Sequence, residues 1–258
     1  EPLANQAFFN SRLLGAMFLH AGEKFHATAS LFAENDAMKM STDKLGNEAW
    51  GAMTRLVWRP FTERGKIFHI GISGAYESPR YSKNPANSHS SYTLRAPFPT
   101  RIANVSAQEA TITNAKALWK FSPELNVACG NLGFEVQYFY VGIKRDHALP
   151  NYSAWGAYGN VRYLLNGQGY TYTRTDAGIA TPDPGSMELV AAYNYSTLSD
   201  KDAGIHGGKV SDWSLTFNYY LNKYMIWRVR GSITRATDNA AFKNNTFSIL
   251  ETRLQIKF

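Results

Sequence analysis

Residues 247–258 form a strand with Leu250, Leu254, Ile256 and Phe258 on one side and Glu251, Arg253, Gln255 and Lys257 on the other. Successive side chains of an extended strand point to opposite faces, so this segment presents one apolar and one polar surface. Residues 225–234 repeat the pattern, setting Trp227, Val229 and Ile233 against Arg228, Arg230, Ser232 and Thr234. Residues 213–221 form a third such strand, joined to the second by Asn222-Lys223-Tyr224, a connection so short that only a hairpin fits. The same reading predicts strands over 187–197, 154–165, 134–144, 125–129, 68–77, 52–59, 25–33 and 13–21, making eleven in all. Pro123 denies the strand at 125–129 a backbone donor, which predicts a short element there.

The connections alternate in length. Short turns fall at 22–24, 63–66, 130–133 and 222–224, and longer loops at 35–49, 78–110, 199–211 and 236–246. Turns on one side and loops on the other, between strands of about ten residues, are the layout of a transmembrane β-barrel. Residues 166–186 break the rule, being long where a short turn is due. A soluble sandwich also alternates, but its apolar faces converge on a protein core. Here that face carries aromatics strand after strand, among them Trp58, Trp155, Trp213, Trp227, Tyr138, Tyr193 and Tyr219, which reads as an interfacial girdle.

Composition fits a single domain over residues 1–258: an all-β, transmembrane antiparallel β-barrel. No segment approaches the run of about 18 apolar residues that a membrane helix needs. Mean hydropathy is −0.33, as expected when half of each strand is polar. Aromatic residues make up 14% of the chain, matching the girdle. The net charge of +7 attracts small anions, anionic lipid or nucleic acid, but no basic run and no nucleic-acid motif supports the last. Cys129 is the single cysteine and is expected on the lipid face. The first residues carry neither an initiator Met nor a signal sequence, and eleven is an odd count for a bacterial barrel. Both lead to the expectation that upstream strands precede this stretch.

Four stretches carry a family resemblance: Met53-Thr54-Arg55-Leu56-Val57-Trp58-Arg59-Pro60, Phe68-His69-Ile70-Gly71-Ile72-Ser73-Gly74, Met187-Glu188-Leu189-Val190-Ala191-Ala192-Tyr193-Asn194-Tyr195 and Leu215-Thr216-Phe217-Asn218-Tyr219-Tyr220-Leu221-Asn222. With the C-terminal strand they resemble the phosphate-selective porins O and P, in an order that spans nearly the whole chain. The resemblance implies a sixteen-stranded, trimeric barrel in the outer membrane of a Gram-negative bacterium, of which this chain looks like the C-terminal two-thirds. It also implies an inward-dipping loop with arginines at alternate positions. The matching stretch here, Ser91-Tyr92-Thr93-Leu94-Arg95-Ala96-Pro97, keeps one arginine and has Tyr92 and Leu94 where a ladder would continue.

The candidate anion pathway has two parts. The loop 78–110 holds Arg80, Lys83, Arg95 and Arg101 against Glu109, a net +3 that would focus a positive potential if folded inward and would touch lipopolysaccharide phosphates if left outside. By alternation Arg55, Arg59, Arg162, Arg228, Arg230 and Arg253 face the lumen, where the guanidinium fork suits oxyanions. Glu124, Glu135, Glu188 and Glu251 share that side, and Arg230 and Glu251 lie on adjacent strands, so many of these charges are expected to form structural pairs. Tyr158 and Tyr220 point inward among them.

The six histidines (His20, His26, His69, His89, His147, His206) are scattered, with no metal-ligand spacing and no nucleophile motif. The expectation is therefore no enzyme, no catalytic residue, no metal and no cofactor. The chain reads as a passive diffusion channel for small hydrophilic solutes with a preference for anions, phosphate among them. Its expected partners are permeating anions, outer-membrane lipid and lipopolysaccharide, two further copies in a homotrimer, and the barrel-assembly machinery, which the terminal Phe258 resembles a signal for. The alternative is a barrel with a plugged lumen that serves as a structural or interaction subunit of an envelope assembly. A soluble carbohydrate-binding sandwich is a third class.

Overall fold

The computed structural model describes residues 3–8, 13–33, 50–78, 91–98, 106–238 and 244–257. One short helix, α1 (Leu3–Phe8), precedes β1 (Leu14–Ala21), β2 (Phe25–Ala33), β3 (Trp50–Glu63), β4 (Lys66–Ser78), β5 (Tyr92–Pro97), β6 (Ser106–Ile112), β7 (Ala115–Cys129) and β8 (Leu132–Arg145). There follow β9 (Tyr152–Leu164), β10 (Tyr172–Thr173), β11 (Gly178–Ile179), β12 (Met187–Asp200), β13 (Ile205–Tyr220), β14 (Met225–Thr237) and β15 (Asn245–Ile256). Eleven of these strands form one antiparallel sheet in the order β1-β2-β3-β4-β7-β8-β9-β12-β13-β14-β15. They correspond one for one to the eleven read from the sequence. The end strands β1 and β15 do not pair among the described residues. Among the described residues no helix is long and apolar enough to cross a membrane.

Several strands run further than alternation predicts. The long loop expected at 199–211 is mostly strand, leaving a turn at 201–204. β7 begins at Ala115 rather than Leu125, and Pro123 does not end it. The ladder to β8 keeps one register on both sides of the proline, pairing Phe121 with Tyr140 and Glu124 with Gln137. A missing N–H costs one ladder bond, while the neighbouring pairs hold the strand in place.

The outer face is the apolar one. Trp58, Trp155, Trp213 and Trp227 are all exposed, with Leu56, Ile70, Val161, Leu215, Ile233 and Leu254 between them. Cross-strand aromatic pairs reinforce it, with ring centroids 4.4 Å apart for Tyr193 and Trp213 and 5.0 Å apart for Trp155 and Tyr195. Cys129 is exposed on this face beside its register partner Leu132. Exposed apolar side chains on this scale fit hydrocarbon rather than water.

The inner face is apolar at both ends and polar between. At the loop end Leu118, Phe139, Val141, Ile143, Ala154 and Leu198 pack against α1 and the β5–β6 hairpin, in one buried cluster with Phe8, Leu94, Ala96, Ala110 and Ile112. The loop 78–110 is thus a hairpin docked on the wall where the structure describes it. Gln108, fully buried, donates to the carbonyls of Ser196 (2.9 Å) and Gly208 (3.0 Å) and accepts from the Ser196 hydroxyl (2.6 Å). Gly207 is required there, because a Cβ would lie 2.7 Å from that of Ala110. At the turn end Tyr170, Tyr172 and Ile179 pack against Ile67, Ala128 and Leu164.

This assignment of faces predicts unequal costs for one substitution made on either side of β13. Leu215→Arg places a charge in hydrocarbon and lowers unfolding free energy in lipid vesicles by ~2–4 kcal/mol, whereas the inward Ser214→Arg costs less than ~1 kcal/mol. Equal costs would place the lipid on the wrong face.

Candidate functional site: the charged inner wall

Between the two apolar ends, the inner wall carries a belt of charge. At its centre lies Glu188, wholly buried on β12. It accepts from Arg162 Nε (2.8 Å) and the Tyr170 hydroxyl (2.8 Å) on one oxygen, and from Asn218 (2.8 Å) and the Tyr220 hydroxyl (2.7 Å) on the other. Four donors on one carboxylate compensate its removal from water. The Arg162 guanidinium also lies over the Tyr170 ring, 5.2 Å from its centroid.

A second group centres on Glu124. Arg55 Nε donates to it at 2.7 Å, and His69 Nε2 lies 3.3 Å from the same oxygen. An ionised carboxylate only accepts, so Nε2 carries the proton and His69 Nδ1 accepts from the Tyr172 hydroxyl at 2.7 Å. Burial raises the Tyr172 phenol above its ordinary pKa, which keeps it a donor. A third group joins Arg230 to the buried Asp212 (2.6 Å) and to Glu251 (3.2 Å), with Thr234 donating to Asp212 at 2.6 Å. Glu135 is held by the Tyr158 hydroxyl and, at 3.5 Å, by Asn160.

The segment 166–186 is drawn into this belt from the turn end. Arg55 donates to the carbonyls of Asp176 (3.0 Å) and Ala177 (2.9 Å), and the fully buried Arg59 donates to those of Arg174 (2.6 Å) and Gly22 (2.5 Å). Tyr170 ties it to two turns: Gly65 N donates to the Tyr170 carbonyl (2.8 Å) and Tyr170 N donates to that of Gly130 (3.2 Å). Gly169 permits the crossing, since its φ is +91° and a Cβ would sit 3.0 Å from the Gly130 carbonyl oxygen.

The structure therefore brings Arg55, Arg59, Arg162, Arg228, Arg230 and Arg253 to one face, as alternation predicts, and commits four of them to carboxylates or carbonyls. Arg228 and Arg253 stand directly opposite each other on β14 and β15. Arg228 is half-buried and its Nε has no hydrogen-bond partner, while Arg253 is exposed. In the hairpin, Arg95 donates to Ser106 (2.5 Å) and lies 3.5 Å from Glu109, so these two charges offset each other and the loop's net +3 rests on Arg80, Lys83 and Arg101. Arg80, Lys83, Arg101 and Phe258 lie outside the described residues. Asp212 has no alternation signal of its own, because β13 begins at Ile205, eight residues before the clear alternation that starts at Trp213. The carbonyl acceptors of 174–177 left no side-chain signal at all. Among the described residues no group of three or more His, Cys, Asp or Glu side chains could hold a metal ion.

Two outcomes follow from these contacts. Glu188→Gln leaves the Arg162 charge uncompensated in a buried site and lowers unfolding free energy in detergent by about 3 kcal/mol; a loss below about 1 kcal/mol would show that solvent reaches the belt. Arg59→Ala removes donors from two carbonyls, so trypsin cuts after Arg174 at least about tenfold faster than in the unaltered protein, as a loss of about 1.4 kcal/mol in local closure requires.

No curated protein matches the chain. A family model described as phosphate-selective porin O and P matches residues 3–258, covering the two-faced wall, its girdle and both inward segments. On that match the chain belongs to the phosphate-selective porin O and P family.

Proposed function

We propose that the protein is a passive diffusion channel of the bacterial outer membrane that prefers small anions, phosphate among them, and carries out no covalent step. The observation that supports the preference is the Arg228–Arg253 pair. Side chains directly opposite on antiparallel strands lie about 5 Å apart at Cβ, where like charges repel. No carboxylate among the described residues is paired with either. A permeating anion between them relieves that repulsion. The other lumen arginines are engaged within the wall, Arg55 with Glu124, Arg162 with Glu188, and Arg230 with Asp212 and Glu251, so the net bias is modest. Arg95 contributes at the loop end, and Arg80, Lys83 and Arg101 belong to the same proposed pathway. In the same reading the protein is a homotrimer set in lipid and lipopolysaccharide, and Phe258 is read by the barrel-assembly machinery.

A second reading is favoured by α1, the hairpin and the 166–186 segment, which occupy the inner face at both ends. In it the lumen is closed, and the barrel is a structural subunit of a larger assembly. Reversal potentials of the full-length protein in planar bilayers under a salt gradient separate the two. Anion preference is expected, and replacing both Arg228 and Arg253 by Gln lowers the anion-to-cation permeability ratio by about twofold. Cation preference sinks the anion reading, and absence of current favours the closed barrel.

A further inference from the structure

The inner wall holds a cavity of about 510 Å³ beside α1, along β1 to β4. Its lining divides by chemistry. Register places Met17, Ser30, Met53, Ala75 and Lys120 in one inward row across five strands, and Thr28, Arg55, Ser73 and Ser122 in the row next to it. Phe32 from the wall, Phe8 from α1 and Phe139 from β8 enclose the apolar side. The rings of Phe8 and Phe139 are stacked, with centroids 5.8 Å apart.

A guanidinium offers five N–H donors. Arg55 spends one from each nitrogen, on Glu124, Asp176 and Ala177, so two N–H groups remain uncommitted on a side chain that lines the cavity. Hydroxyls of Thr28, Ser30, Ser73 and Ser122 line the same space. Donors therefore converge mainly from the Arg55 row; the thioethers of Met17 and Met53 and the rings of Phe8, Phe32 and Phe139 lie on the other side, together with Ser30 and with Lys120, which is paired with Glu77 at 3.3 Å. Inorganic phosphate, hydrated all round, would lose water against that apolar side without compensation. A cavity of this volume, mostly apolar with a few convergent polar groups, suits a small organic molecule.

We propose that this cavity binds a small organic anion, with its anionic group toward Arg55 and the hydroxyls and its apolar body against Met17, Met53 and Phe32. The proposal rests on the channel reading for its role in transport, where it names the solute class as organic anions with an apolar part.

Phenyl phosphate and inorganic phosphate share a headgroup and differ by an apolar body, so they isolate the claim. Each is titrated calorimetrically into the full-length protein in detergent. Phenyl phosphate is expected to bind at least about tenfold more tightly. Met53→Asn, at a position 42% exposed and outside the packed clusters, reduces that ratio to within about threefold by weakening phenyl phosphate binding. Equal or weaker binding of phenyl phosphate overturns the proposal, as does a Met53→Asn protein that keeps the full ratio. Binding is read without current, so the two proposals fail separately. A protein that binds phenyl phosphate but conducts nothing loses only the channel role.

Discussion

A charged side chain on a wall strand has one direction open to it. Hydrocarbon lies on the other side of the sheet, and period-two geometry leaves no intermediate orientation. Most guanidinium and carboxylate groups of the wall therefore meet their partners inside, at close quarters, and the organisation of the belt follows. Glu188 gathers Arg162, Tyr170, Tyr220 and Asn218, and Asp212 gathers Arg230 and Thr234. These groups order the inner face, because a carboxylate with four donors holds side chains from two neighbouring wall strands and one inward segment in a single arrangement. Pairing on this scale also explains why a chain of net charge +7 has so few wall cations left to act on a solute.

The same restriction decides where inward segments attach. Most charged wall positions near mid-height are paired with their own neighbours, so added elements find their main surface where the inner face turns apolar. The hairpin and α1 take the loop end through Leu118, Val141, Ile143 and Leu198. The segment 166–186 takes the turn end through Ile67, Ala128 and Leu164, and then reaches up to Arg55 and Arg59 with its carbonyls. Backbone carbonyls are suitable acceptors at that depth because they bring no charge that would upset the neighbouring pairs.

Much of this was legible in the sequence, and the reasons differ by feature. Alternation gave all eleven wall strands and the facing of every named arginine, since a period of two is unambiguous wherever one face meets lipid. It also gave the Arg230–Glu251 pair and the anomalous length of 166–186. It failed where both faces become apolar. Tyr138-Phe139-Tyr140-Val141-Gly142-Ile143 reads as an unbroken apolar run, the mark of a strand covered on both sides, and this run was the available signal that something packs inside at the loop end. Strand extensions past residue 200 were hidden by Gly204, Gly207 and Gly208, which resemble loop composition while one of them serves a close approach to Ala110. Partners such as the carbonyl of Ala177 were out of reach, because any residue type supplies a carbonyl.

The stretch 91–97 shows how a family pattern can persist in position while its chemistry changes. Within β5, Leu94 and Ala96 turn to the wall and are buried in the loop-end cluster, with Tyr92 packed at its border. Arg95 has the opposite parity and is engaged with Ser106 and Glu109 of its own hairpin. An arginine at 92 or 94 would push charge into an apolar contact with Ile112 and Leu198, where no carboxylate of the cluster could answer it. The described part of the hairpin thus serves adhesion to the wall. Beside the cations of the loop, the selectivity we propose then draws on wall positions the hairpin does not cover, Arg228 and Arg253 and the cavity beside Arg55.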